Sequence, residues 1–287
     1  MTTASIRRAA VLNEIGLGPI WVRRSVSADQ SVDQLPDAIL AVQSWTESDR
    51  DPAAAVASGT PAATPALRAP SEVKAIAAMD WAQLESAVTQ CSACGLCRNR
   101  QQAVPGSGLR RATWLFVTDA PGRSEDMEGQ PLAGAAAQLF DNMLLAIGLT
   151  RDQRGGLDAD ASVYLTNIVK CRPTDADGND RAPTPDEMAA CKPFLDRQMA
   201  LTQASMIVAL GKSATLGLLG ADAIRTAGAL RGKLHSYAAA GGGNSVPVVA
   251  SYHPATLLLH PAQKRDAWAD LCLAANAHAD AQANAAR

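Results

Sequence analysis

No stretch of this sequence is long and apolar enough to cross a membrane. The N-terminal "MTTASIRRAAVLNEIGLGPIW" also lacks the uninterrupted apolar core of a secretory signal. The expected location is therefore a bacterial-type cytoplasm and nucleoid. Disulfides are rare there, and clustered cysteines more often bind metal than one another. Net charge is nearly absent too, at −2 from 26 basic and 28 acidic residues. That total argues neither for nor against nucleic acid, but its distribution is uneven. Residues 26–80 carry eight acids and three bases, whereas residues 207–265 carry six bases against Asp222 alone. A basic half beside an acidic segment permits polyanion binding, although a charged face is commonly just solvated.

Large apolar residues are scarce in residues 26–79, where "DPAAAVASGTPAATPALRAPS" is typical. Such a stretch buries too little apolar surface to offset its ordering entropy, so it reads as a flexible linker. It separates an apolar and basic island within residues 1–25, suited to docking, from a globular domain over residues 80–280. Residues 281–287 read as a disordered tail. Within the globular part, strand-like runs alternate with helical ones. "ATWLFVT", "VYLTNIV", "SMIVALG" and "VPVVASYH" are the strands, and "GAAAQLFDNMLLAIG" and "AQKRDAWADLCLAANAHA" are helices. "TPDEMAACKPFLDRQMAL" opens with a capping box, Thr184 before Pro185 with Glu187 three after the cap, and carries an internal Pro193 that would kink it. This alternation implies an α/β fold with a mainly parallel sheet covered on both faces. Ligands of such sheets sit beyond the carboxyl ends of the strands, here "TDAPG", "TNIVKCRP" and "SYHPA".

Six cysteines occur, at 91, 94, 97, 171, 191 and 272. Cys91 and Cys94 have chelating spacing. Cys171 follows a strand, and Cys191 lies twenty positions on, beyond a polar loop that a metal centre would tie down. Four thiolates suit zinc or an iron–sulfur cluster equally on chemistry alone. Cys272, in an apolar helix, reads as a small hydrophobe. Cys97 remains ambiguous.

"CSAC", "APGRSEDMEGQPLAG", "VYLTNIVKCRP", "RAPTPDEMAAC" and "SYHPATLLL", in that order, resemble the iron–sulfur uracil-DNA glycosylases called family 4. The resemblance implies a three-layer α/β/α sandwich on a central, mainly parallel four-stranded sheet. It implies uracil excision from DNA by N-glycosidic hydrolysis, which initiates base excision repair. It also implies a structural [4Fe–4S] cluster on Cys91, Cys94, Cys171 and Cys191, with zinc as the alternative. Uracil-containing DNA would be the partner, and the protein would act as a monomer.

The chemistry needs a pocket for a base taken out of the stack, a donor for the departing oxygen, and something anionic or water-orienting beside the sugar. By resemblance Asn167 reads uracil, since one carboxamide offers an acceptor to N3–H and a donor to O4. His253 donates to uracil O2. In the turn after the first strand, Ala120 lies against the base, and Asp119 keeps the carboxylate of a usual Gly-Glu pair that reads Thr118-Asp119 here. Glu125 lies near the C5 edge, where it would refuse a thymine methyl. Leu132 stands where the family places a stacking Phe, and Leu259 where it places an Arg. Lys170, Arg172, Arg231 and Lys233 are expected phosphate contacts, and Leu257 or Leu258 a wedge for the vacated stack. Asp119, Leu132 and Leu259 leave open a catalytically weakened DNA-binding member, and a zinc-bound regulatory protein is the other alternative. The island "RRAAVLNEIGLGPIWVRR" resembles the N-terminal peptide of the clamp-loader psi subunit, which implies docking to the replicative clamp loader.

Overall fold

The computed structural model describes residues 68–151, 161–220, 230–238 and 245–285. The docking island and most of the expected linker lie outside them. Among the described residues, nine-residue helices α1 (Pro70–Ala78) and α2 (Trp81–Thr89) come first. Then follow β1 (Ser107–Gly108), β2 (Trp114–Thr118), α3 (Arg123–Glu128), α4 (Gly134–Ala146) and β3 (Val163–Asn167). The rest comprises α5 (Pro185–Thr202), β4 (Met206–Leu210), α6 (Lys212–Leu219), β5 (Leu234–Tyr237), β6 (Val246–Ser251), α7 (Pro254–Leu259) and α8 (Lys264–Ala285).

Among the described residues, the sheet has six strands in the order β1-β3-β2-β4-β6-β5. The four central strands are mutually parallel, as expected. Two short antiparallel strands, β1 and β5, extend the expected four-stranded sheet at its edges. β2, β3 and β4 are buried along their whole length, which accounts for their near-continuous apolar sequence. Alternation divides β2 between two cores. Leu115 and Val117 pack with Leu84 and Val88 of α2, Phe194 of α5 and Leu218 of α6. Trp114 and Phe116 pack with Phe140 and Leu144 of α4 and Leu271 of α8. The result is a three-layer α/β/α sandwich.

The α5 cap forms as the sequence implies: Glu187 N–H donates to Thr184 Oγ1 at 3.2 Å, and Thr184 N–H to Glu187 Oε2 at 2.8 Å. Such a cap is worth about 1 kcal/mol. Helical structure continues past Pro193. Both domain boundaries move. Residues 70–78, assigned to the linker, are helical because Ile76 buries its side chain in the core shared with α5. Residues 281–285, assigned to the tail, continue α8. Among the described residues, no helix is long and apolar enough to cross a membrane.

Candidate active site

The parallel strands end together. Thr118 is in register with Asn167 on one side and Leu210 on the other. By the twofold alternation of strands, these three share the sheet face of Trp114 and Phe116. Asn167 is 2% exposed. Its Nδ2 donates to the Asp119 carbonyl at 2.8 Å, whereas its Oδ1 is buried with no hydrogen-bond partner. A buried acceptor left unpaired costs about 1–3 kcal/mol, so this oxygen has the capacity to take a bond from an incoming donor.

His253 follows β6 and is also buried. Its Nδ1 accepts the Ala255 N–H at 3.2 Å, and its Nε2 lies 2.9 Å from Thr118 Oγ1. An Nδ1 that accepts cannot also carry the proton, so the neutral ring is protonated on Nε2. Burial lowers its pKa to about 4, which keeps the ring neutral at physiological pH.

Asp119 sits just past β2, with its carboxylate turned to the start of α6. Oδ1 accepts the Ala214 N–H at 2.8 Å. Burial raises its pKa to about 7, opposed by the Ala214 and Ser213 amides. Gly211 makes the room, because a Cβ there would lie 2.2 Å from Asp119 Oδ2. Its φ of 103° is one that L side chains rarely adopt. Glu125 Oε2 accepts the Gly122 N–H at 3.0 Å, and its carboxylate also takes a bond from the Ala133 backbone. It thus ties the Pro121–Gly122 turn and half-buried Ala120 to the loop before α4. Burial raises the Glu125 pKa against these backbone bonds. On that loop, Leu132 is buried in the core of this face with φ 59°. A bulky side chain in the left-handed region costs about 1–3 kcal/mol and such strain concentrates at ligand sites.

On the opposite face, Cys91, Cys94, Cys171 and Cys191 line one small cavity with Arg68, Lys170 and Phe194. All are free thiols. Burial raises each of three: Cys94, Cys171 to about 11 and Cys191 to about 12. Donors already point at the sulfurs. Arg68 Nη2 is 3.0 Å from Cys91 Sγ, Arg100 Nη1 is 2.9 Å from Cys171 Sγ, and the Lys170 amide is 3.3 Å from Cys191 Sγ. Four thiols under three N–H donors fit an anionic thiolate centre. Among the described residues, no three His, Cys, Asp or Glu side chains close on a single point as a lone metal ion would require. Cys97 and Cys272 do not line the cavity.

The two sites meet through residues 166–171. Lys170, expected to face phosphate, is fully buried. Its Nζ donates to Thr166 Oγ1 at 2.6 Å and to the Asn167 carbonyl at 2.7 Å. It therefore clamps the segment that carries both Asn167 and Cys171. Arg172 is occupied as well, paired with Asp180 and bonded to the Gly178 carbonyl. Arg231 pairs with Asp270 at 2.7 Å and stacks over Tyr252 at 3.9 Å, so it fastens β6 to α8 rather than standing free for phosphate. Leu257 is buried against Tyr252 and Ala267 and cannot wedge. Leu258 is half-buried and Lys233 exposed, which leaves these two at the surface.

Four contributors escaped sequence reasoning. Thr118 appeared only as a departure from a motif. Gly211 had a strand–Gly–helix signal but no visible partner. Arg68 lay inside the presumed linker, and Arg100 had no mark beyond nearness to the cysteines.

The chain is similar to known proteins. Residues 105–274 match the uracil DNA glycosylase superfamily. The type-4 uracil-DNA glycosylase of Archaeoglobus fulgidus is 37% identical over 174 residues, 61% of this chain and 81% of that protein. That of Sulfurisphaera tokodaii is 38% identical over 182 residues, 62% and 76% of the two chains. That of Pyrobaculum aerophilum is 35% identical over 198 residues, 68% and 93% of the two chains.

Proposed function

The chain belongs to the uracil-DNA glycosylase superfamily, on its type-4 branch, and we infer that it excises uracil from DNA by hydrolysing the N-glycosidic bond. It is a DNA-repair hydrolase acting on a DNA substrate. The observation that carries this reading is the buried, unpartnered Oδ1 of Asn167 at the carboxyl end of β3, on the same edge of the parallel sheet as His253 just past β6. Uracil N3–H supplies the missing donor. Cytosine presents an acceptor at N3 and would leave two acceptors facing each other.

As the glycosidic bond lengthens, the sugar becomes cationic and the base anionic. The neutral His253 ring offers its Nε2–H to O2. A preorganised donor of this kind is worth about 2.7–4 kcal/mol. The spare Nδ2 hydrogen of Asn167 serves O4. Asp119, when ionised, is the nearby anion for the sugar and orients the attacking water. Leu132 covers one face of the base without aromatic stacking. Glu125 braces the wall at the C5 edge, which leaves no room for a methyl. Leu258 enters the vacated stack and Lys233 meets phosphate.

Cys91, Cys94, Cys171 and Cys191 would hold a [4Fe–4S] cluster that cross-links residues 91–94 to both ends of the 171–191 loop. When bound it supplies no chemistry to the base and fixes the segment from Asn167 to Cys171. The island at residues 6–24 would tether the enzyme to the clamp loader. Deleting residues 1–25 should abolish co-purification of the clamp loader, and equal recovery without them would end that idea.

The test of function is incubation with oligonucleotides carrying one uracil, cytosine or thymine, followed by alkali. Scission at uracil alone is expected. An intact thiolate centre with no scission would overturn the reading.

A further inference from the structure

Thr118 has a fixed relation to the one proton that matters in this reading. It is 1% exposed, and its carbonyl accepts the Ile168 N–H at 2.9 Å. Strand pairing to Asn167 and Leu210 holds its backbone on both sides. Its hydroxyl therefore has little freedom, and it lies 2.9 Å from His253 Nε2. The Ala255 N–H occupies the other ring nitrogen at 3.2 Å. The direction of the hydrogen bond follows: Nε2–H donates and Thr118 Oγ1 accepts.

A neutral imidazole has one N–H. In the resting enzyme that N–H is already engaged by the protein. We propose that Thr118 is a positioning residue that holds the sole Nε2 proton of His253 in reserve, so that the O2 of the departing uracil must take over a hydrogen bond the hydroxyl already has. The inference rests on the excision reading above and adds a rate-setting residue to it.

The competition falls on the chemical step rather than on binding. Before bond cleavage, uracil O2 is a neutral acceptor and so is the Thr118 hydroxyl, and neither clearly prevails. As the base becomes an anion, O2 becomes the stronger acceptor and draws the N–H across. Breaking the Thr118 bond is then part of the barrier. Removing the hydroxyl does not free the ring, because the bond from Ala255 to Nδ1 still orients it.

The test uses the full-length, cluster-loaded protein in single-turnover excision of a uracil oligonucleotide. Thr118→Val keeps the shape and deletes the acceptor. Its rate constant at saturating enzyme should rise roughly 3- to 10-fold, the equivalent of one net hydrogen bond. The half-saturating concentration should stay fixed. Thr118→Ser restores a hydroxyl and should bring the rate back down. A Thr118→Val rate at or below wild type, or a Thr118→Ser rate equal to it, would overturn the proposal.

Nitrogen-15 NMR of His253 in the wild-type protein without DNA gives a second reading that needs no variant to fold. Protonated Nε2 and bare Nδ1 are expected, with the Nε2 proton protected from exchange. The opposite tautomer would refute the proposal by itself. Wild-type protein that excises nothing would instead refute the excision reading, and the tautomer measurement would still stand.

Discussion

Asn167→Ala isolates the recognition element. In the wild-type fold the carboxamide makes one internal bond, from Nδ2 to the Asp119 carbonyl, and carries one buried, unpartnered acceptor. Replacing it with alanine removes both. The fold loses a donor to Asp119 but is also relieved of a desolvated oxygen. Each effect is on the order of 1 kcal/mol and they oppose one another. The urea midpoint should therefore move little. Catalysis has no such compensation. The bond from uracil N3–H to Oδ1 contributes about 0.5–1.5 kcal/mol, and the bond from Nδ2 to an O4 that gains negative charge about 1.5–3 kcal/mol. Together these are roughly 2–4.5 kcal/mol, or about 30- to 2,000-fold in kcat/KM. The assay is single-turnover excision across a range of enzyme concentrations, paired with urea denaturation of the same preparation. A rate within about threefold of wild type would refute the reasoning. So would a loss of rate that merely tracks a loss of folded protein.

Three further outcomes follow from the geometry. Burial pushes the Asp119 carboxyl up to about 7, and the role proposed for it needs the ionised form. Excision should therefore fall as pH drops through about 7, and Asp119→Asn should show a lower rate with no such limb. His253, neutral down to about pH 4, adds no limb above that value; an unchanged limb in Asp119→Asn would reassign it. Gly211→Ala should destabilise by about 1–3 kcal/mol from its φ of 103° alone, and by more from the collision with Asp119. In Gly211→Ala/Asp119→Ala the collision part should disappear, and strict additivity in urea titrations would show that the two residues do not touch. Cys191→Ser should lose bound iron and the absorption near 400 nm, whereas Cys97→Ala should keep both. Iron and sulfide analysis of the wild type should give about four of each per chain, and zinc in their place would refute the cluster.

The legible parts of this protein were those whose cause is local. The α5 cap could be read because Thr184 and Glu187 are three residues apart and bond to each other. The central strands could be read because burial on both faces leaves an unbroken apolar run. β1 could not, since two residues carry no pattern, and β5 alternates only weakly. The end of the linker was misplaced because the helix at Pro70–Ala78 owes its order to packing of Ile76 against distant elements. The same blindness affected the basic residues. Arg231 looks like a phosphate contact until Asp270, thirty-nine positions away, pairs with it. Lys170 looks exposed beside a polar loop until its amine is found bonded to Thr166 and Asn167 inside the protein. Asn167 and His253, singled out through the family resemblance, lie at the end of β3 and just past β6, because the carboxyl edge of a parallel sheet is set by topology.

The central claim is that Asn167 and His253 hold a uracil while water replaces it at the sugar. Single-turnover excision by the wild-type protein and by Asn167→Ala and His253→Ala, with mass spectrometry of both products, tests that claim most directly. Free uracil and an intact abasic strand from the wild type, with each variant slower by about 30-fold or more, is the predicted result. No released uracil from protein with its thiolate centre intact, or folded variants that keep the wild-type rate, would contradict it.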